Sequence, residues 1–277
     1  MACKIHPSKP VLKLGGSVIT AKDDTRLILR RNLLQRIAQE IASVAECLRP
    51  LVLVHGAGSY GHQIVARTRI HEKMETAADR LAWAETQILQ NELNAEVCRI
   101  FLDEGIPAFP YQASSSARMR NGNLDGLEGI PLRELVKQGI LPVLYGVPAV
   151  EETGGCRILS GDVLAVFAAK FLGASHILHG TDVDGVFDKD PKLSTGMHEE
   201  EKQPKKWFRI SRENWEQVKQ GLTGSCNTDV TGGMAGKVQE ALMLSRDGIS
   251  ARIFDATESG AVKEALQGKP LGTEIQW

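Results

Sequence analysis

No apolar run in this chain approaches the ~20 residues needed to cross a bilayer, and the opening Met1-Ala2-Cys3-Lys4-Ile5-His6-Pro7 contains no apolar signal core. The expected location is the cytoplasm. Cysteine is scarce and unpatterned: five residues, at 3, 47, 98, 156 and 226, an odd number with no Cys-x-x-Cys spacing. This argues against a disulfide framework and a zinc knuckle. Charge of one sign is also lacking, since Lys+Arg 33 against Asp+Glu 34 leaves a net charge of −1, and no basic block is dense enough to track a nucleic-acid backbone. Neither a membrane nor a nucleic acid is an expected partner. Internal repeats and low-complexity segments are absent as well.

What remains is an ordinary globular composition, 277 residues with 42% apolar and 24% charged content, enough to bury a core as one large domain or two lobes. Strand and helix patterns alternate. Val11–Leu14 and Leu51–Val54 read as buried strands, Arg26–Leu48 as a helix, and Glu75–Glu104 as a long helix in which Ala77, Leu81, Ala84 and Ile88 form the apolar stripe. Short strands at Pro107–Tyr111 and Ile140–Tyr145 follow, then a helix at Gly161–Leu172, a strand at His176–His179, helices at Arg212–Gln220 and Gly232–Ser245, a strand at Ala251–Phe254 and a helix at Ser259–Leu266. This βαβ succession predicts a mainly parallel sheet with helices on both faces. Asn121-Gly122 and Gly154-Gly155 interrupt it as hairpin turns, and hairpins at the carboxyl edge of such a sheet can wall a pocket. The polar stretch Asp188–Phe208, with Glu199-Glu200-Glu201 and Lys205-Lys206, reads as a solvated mobile loop.

Four glycine-bearing loops punctuate these elements: Gly15-Gly16-Ser17, Gly56–His62, Gly180–Gly185, and Gly232-Gly233-Met234-Ala235-Gly236-Lys237. Such loops present backbone N–H groups to anions at strand ends and helix N-termini, so four in one α/β unit suggest several phosphates held together. Gly56-x-Gly58-x-x-Gly61 also spells the dinucleotide fingerprint. That reading fails because another strand-and-glycine unit precedes it and the acid at the right distance, Asp79, lies in a helical pattern. The loop ending at Lys237 imitates a Walker A motif but places Val238 where Ser or Thr would bind Mg²⁺.

Three lysines lie in or near the loops: Lys13, Lys22 and Lys237. Most lysines are solvated, yet Lys13 interrupts an apolar strand and so requires an anionic partner. His62, at the mouth of a glycine loop, is the candidate donor to a substrate phosphate, whereas His55 at the strand end reads as structural.

These segments together resemble the amino acid kinase superfamily and, within it, the isopentenyl phosphate kinases. The matching residues are Lys13–Thr20 with Lys22, the glycine loop ending in His62, Leu159-Ser160-Gly161-Asp162, Gly180–Val186 and Thr228–Lys237, in family order along residues 11 to 237. The resemblance implies an open αβα sandwich with an acceptor-binding part, about residues 1–175, and an ATP-binding part, about 176–277. It implies that Gly56, Gly61 and Gly161 touch the acceptor phosphate, that Gly15, Gly16, Ser17 and Ala57 line the transferring phosphates, and that Thr181, Asp182, Phe187, Gly233 and Lys237 contact ATP. Asp162 would organise the lysines. His62 marks the branch, because superfamily members acting on carboxylates lack a histidine there while isopentenyl phosphate and fosfomycin kinases have one. Ala57 and Tyr60 replace the Gly and Phe of many members, and the Glu199–Lys206 excursion is longer and more charged than usual.

The implied reaction is phosphorylation of isopentenyl phosphate by ATP with Mg²⁺ held mainly by phosphates, in isoprenoid biosynthesis through the mevalonate pathway, by a homodimer. Lys13, Lys22, His62 and Lys237 would be catalytic. A fosfomycin-type phosphonate kinase and a nucleotide-binding protein without turnover are the alternatives.

Overall fold

The computed structural model describes residues 9–21, 28–189, 204–222, 233–245 and 248–276, without the side chains of Tyr60, His62, Gly233 and residues 243–245. The first half runs β1 (Val11–Leu14), α1 (Gly16–Ile19), α2 (Arg31–Ser43), β2 (Val52–His55), α3 (Gly58–Thr68), α4 (Ala77–Asp103), β3 (Ala108–Pro110), β4 (Arg118–Arg120), β5 (Asn123–Gly126), α5 (Ile130–Lys137), β6 (Leu141–Tyr145), β7 (Val147–Glu151) and β8 (Cys156–Leu159). The second runs α6 (Gly161–Leu172), β9 (His176–Thr181), β10 (Val186–Phe187), β11 (Lys206–Trp207), β12 (Arg209–Ile210), α7 (Trp215–Leu222), α8 (Gly233–Ser245), β13 (Ser250–Asp255), α9 (Ala261–Leu266) and β14 (Thr273–Ile275).

Eight strands form the central sheet in the order β12-β14-β13-β9-β1-β2-β6-β3. Pairing is parallel from β13 through β3, and only β14 with its parallel neighbour β12 runs against the rest. Alternation along β1 sorts its residues: Leu12 and Leu14 join a core with Leu34, Ile37 and Ile41 of α2 and Val97 and Phe101 of α4, while Val11 joins the opposite core with Leu164, Ala165 and Ala168 of α6. Helices therefore cover both faces, giving an open αβα sandwich. The chain proceeds outward from β1 through β2 to β6 on one side and returns to its other side with β9 and β13. The crevice at such a reversal, beyond the carboxyl ends of the strands, is where α/β sheets bind ligands.

Local chemistry sets the helix ends. On α6, Ser160 Oγ accepts from Val163 N at 3.1 Å, Asp162 occupies the first turn, and Gly173 closes the helix at φ 67°. Thr76 and Asp79 form a reciprocal capping box on α4. The two expected hairpins are present, and the first turns at Asn121 (φ 51°) and Gly122 (φ 77°), both left-handed as a type I′ turn demands. They join through parallel β4 and β7 into one sheet, β5-β4-β7-β8. Glu151, buried on β7, binds them: its carboxylate accepts from Asn121 N at 2.9 Å and Gly122 N at 3.0 Å.

Several sequence expectations are corrected. Helix α2 spans 31–43, followed by a 3-10 turn at Glu46–Leu48, with 22–27 outside the described residues. On α4 the Ala77/Leu81/Ala84/Ile88 stripe faces outward, Leu81 being 71% and Ile88 57% exposed. The buried face there carries Ala82, Thr86, Gln90, Leu93, Asn94, Val97 and Phe101, because the middle of α4 packs on polar backbone of the second glycine loop and only its end packs on the apolar core. Most of the polar excursion, 190–203, lies outside the described residues, but its end is ordered by pairing β11 with β10.

Candidate active site

The glycine turns meet at the carboxyl edge of the sheet. Gly15 N donates to Gly180 O at 2.8 Å, Gly56 N to Leu14 O at 3.0 Å, and Gly146 N to His55 O at 3.1 Å. Contact is backbone on backbone: a Cβ on Gly56 would stand 2.6 Å from Gly16 N, and one on Gly16 would stand 2.9 Å from Gly58 N and Cα. Any side chain at Gly16 or Gly56 would force the first and second turns apart. Thr20, to which sequence reasoning gave no role, clamps them, its Oγ1 accepting from Ser59 N at 3.0 Å and donating to Gly16 O at 3.2 Å.

Beneath these turns lies a charged centre. Lys13 on β1 is only 4% exposed, and its Nζ is 2.8 Å from Asp162 Oδ1 on α6. This is the anionic partner its burial requires. Lys237 Nζ on α8 lies 3.1 Å from Asp162 Oδ2, and His179 Nδ1 on β9 lies 3.5 Å from Oδ1. Burial alone would raise the Asp162 carboxyl, but the ammoniums of Lys13 and Lys237, with His179, outweigh it and hold it well below the usual carboxylate range. Burial lowers Lys13, against the pull of Asp162. Glu240, one turn beyond Lys237, is pushed up to about 7 by burial and then by the Asp162 charge. Two ammonium groups thus share one carboxylate below the interlocked glycine turns. Such a centre suits an anion, and among the described residues the Asp162 carboxylate is already taken by both ammoniums.

Of the sequence candidates, the structure brings Gly15, Gly16, Gly56, Gly161, Lys13, Asp162 and Lys237 together at this edge. Ser17 lies on α1, and Ala57 is the N-cap of α3. Gly61 turns toward α4, where a Cβ would meet Gln90 Nε2 at 2.9 Å. Thr181 closes β9 with its hydroxyl engaged by Val183 O at 2.8 Å, Asp182 follows in the turn, Phe187 lies on β10, and Gly233 opens α8. Lys22 and the His62 side chain lie outside what is described. His55 is a buried pillar: Asn94 Nδ2 is 3.1 Å from Nε2, Gly56 O is 2.9 Å from Nδ1, Tyr145 stacks on the ring, and burial lowers its pKa to about 4.

His179 and Glu240 escaped sequence reasoning. The available signals were spacing: Glu240 is three residues after Lys237 on one helix, and His179 directly precedes the third glycine turn.

A family model described as the amino acid kinase family matches residues 8–255. The chain belongs to the amino acid kinase family. Within that family it is 35% identical over 272 residues to an isopentenyl phosphate kinase of Methanothermobacter thermautotrophicus, covering 96% of this chain and 98% of the relative. It is 30% identical to the isopentenyl phosphate kinase of Methanocaldococcus jannaschii over 276 residues, with 96% and 98% covered. A solved isopentenyl phosphate kinase superposes with a TM-score of 0.80 at 31% identity, covering 97% of this chain and all (100%) of that one. An acetylglutamate kinase of Nautilia profundicola is 25% identical, with 99% and 92% covered.

Proposed function

We propose that this amino acid kinase transfers the γ-phosphoryl group of ATP to isopentenyl phosphate, giving isopentenyl diphosphate. The observation that carries the reading is the pair of lysines on Asp162 beneath interlocked glycine turns, in a chain whose 35%- and 30%-identical relatives are named isopentenyl phosphate kinases.

A phosphate monoester has a second pKa near ~6, so at neutral pH the acceptor oxygen is already an anionic nucleophile. No general base is needed. The barrier is the repulsion of two polyanions and the charge spreading over the transferred group, which fixed positive charge and positioning relieve. Lys13 and Lys22 are assigned to the bridging and γ-phosphate oxygens, Lys237 to ATP, and His62 to the acceptor phosphate. Gly56, Gly61 and Gly161 are assigned to the acceptor side, Gly15, Gly16, Ser17 and Ala57 to the transferring phosphates, and Thr181, Asp182, Phe187 and Gly233 to ATP. Asp162 spaces the lysines when the site is empty of phosphate. Mg²⁺, held mainly by ATP oxygens, would neutralise further charge; the protein residues hold the phosphates.

The division into an acceptor lobe, about 1–175, and an ATP lobe, about 176–277, follows the reversal at β1. A homodimer is supported by the outward stripe of α4, where Leu81 and Ile88 are exposed with Ala84 between them. A cytoplasmic role in isoprenoid biosynthesis, by the mevalonate pathway, accords with such an acceptor. The test is ADP release from Mg-ATP with a panel of acceptors. Turnover of isopentenyl phosphate far above fosfomycin, N-acetylglutamate and UMP supports the assignment, and efficient use of one of those three in its place overturns it.

A further inference from the structure

Lys13 and His179 are register partners on the adjacent parallel strands β1 and β9, so their side chains leave the same face of the sheet side by side. Both are buried and both face one oxygen, Asp162 Oδ1, Lys13 Nζ at 2.8 Å and His179 Nδ1 at 3.5 Å, while Lys237 Nζ stands 3.1 Å from Oδ2. At 3.5 Å His179 Nδ1 approaches Oδ1 without hydrogen-bonding it, and it has no hydrogen-bond partner among the described residues.

Each lysine has three N–H donors to divide between Asp162 and the incoming phosphates, and any donor that turns to phosphate is withdrawn from Asp162. If Lys13 turns its N–H groups to a transferring phosphate, Asp162, only 7% exposed, keeps Lys237 as its one ammonium partner among the described residues. A buried carboxylate short of a donor is costly, and that cost would fall on the step that needs Lys13. Resting on the kinase reading above, we propose that His179 is a positioning residue for phosphoryl transfer, a neutral donor that takes Asp162 Oδ1 as Lys13 moves to the phosphate.

Neutrality matters to this role. A cation at residue 179 would compete with Lys13 and Lys237 for the carboxylate and stay bound to it; an apolar residue would supply no donor. Burial lowers the imidazole pKa, Asp162 on α6 opposes this, and Lys13 on β1 and Lys237 on α8 add to the lowering. Glu240 on α8 is the remaining ionisable group of the centre among the described residues. The role also requires the proton to sit on Nδ1, the nitrogen facing Oδ1.

Two measurements test this. In ¹⁵N-histidine spectra of the wild-type chain, the resonances missing from His179→Asn should report a neutral Nδ1–H tautomer at neutral pH, with any titration lying below the ordinary histidine value. An Nε2–H tautomer, or titration at the ordinary histidine value, overturns the proposal. In kinetics, His179→Leu should lower kcat roughly ten- to a hundredfold while KM for ATP and acceptor stays within about threefold, whereas His179→Asn, which keeps an N–H near the Nδ1 position, should retain kcat within about threefold. Unchanged kcat in the Leu variant, or an Asn variant no better than Leu, overturns it. If the Leu variant does not fold, the tautomer and the Asn kinetics decide. A wild-type chain inactive on isopentenyl phosphate but active on another acceptor would overturn the acceptor assignment alone, since the tautomer and the comparison of variants are read on whichever acceptor turns over.

Discussion

Gln90, fully buried on α4, donates from Nε2 to the carbonyl of Ala57 in the second glycine turn at 3.2 Å. In a trans peptide that carbonyl and the N–H of Gly58 point opposite ways, so holding the oxygen toward α4 aims Gly58 N–H at the first glycine turn, where Gly16 lies. A helix thus orients the Gly58 amide through the carbonyl of the residue before it.

We expect Gln90→Leu to leave the Ala57 carbonyl with only its 3.3 Å bond from Gly61 N. The loss should be about 1–3 kcal/mol of stability and a drop in kcat/KM for both substrates. Urea unfolding and steady-state kinetics on one preparation check this; a variant unchanged in both would show that the turn orients itself.

His62 discriminates among chemical roles by a pair of variants. If it donates to the acceptor phosphate and is no base, His62→Gln keeps a donor and should retain much more activity than His62→Ala. Loss of a hydrogen bond to a charged group is worth roughly 1.5–3 kcal/mol, or about one to two decades in kcat/KM for the acceptor, with KM for ATP little changed. Equal inactivity of the two variants, with ATP binding also lost, would assign the donor role elsewhere.

Much of this was legible in the sequence, for identifiable reasons. Val11–Leu14 shows itself because a central parallel strand is apolar throughout, which made Lys13 conspicuous and demanded the partner found in Asp162. The span of α6 is readable from Ser160 and Gly173, local signals that nothing tertiary overrides. The face of α4 was misread for the converse reason. Its apolar spacing at 77, 81, 84 and 88 is real, but the helix buries Gln90 on the Ala57 carbonyl and Asn94 on the Val143 carbonyl and His55, and Thr86 turns its hydroxyl back onto Ala82 O of its own helix, a pattern that local periodicity does not express. Helices α3 and α5 were missed because glycines fill the first turn of one and the other opens on Gly129 and a proline, residues that locally read as a turn. His179 and Glu240 acquire meaning only once β9 and α8 converge on Asp162.

Glu240 gives a pH dependence of defined sign. Its folded-state pKa, about 7, lies above the ordinary 4.5, so the protonated form is the one folding favours. Its contribution is fully present below about pH 4.5 and lost as pH rises through about 7. Glu240→Gln cannot ionise, so the stability difference between variant and wild type should grow in the variant's favour between about pH 5 and 8, by on the order of 2 kcal/mol. Denaturant midpoints across that range read it; parallel profiles would mean the carboxyl is not desolvated as described.

The exposed α4 stripe carries the expectation of a second copy. Leu81→Glu with Ile88→Glu places charge on the outward face of α4, so sedimentation should show a wild-type dimer and a variant whose association is weaker by more than about tenfold. A wild-type chain that is monomeric at micromolar concentration contradicts this.

The central claim is that this site phosphorylates a phosphate, and one competition experiment addresses it most directly. Wild-type chain is given limiting Mg-ATP with equimolar isopentenyl phosphate, fosfomycin and N-acetylglutamate, and products are followed by ³¹P NMR. The expected result is that the paired doublets of an alkyl diphosphate rise in step with ADP while the fosfomycin resonance keeps its intensity and no acyl phosphate can be trapped with hydroxylamine. Consumption of ATP into a phosphorylated phosphonate or an acyl phosphate, with isopentenyl phosphate unchanged, would contradict it.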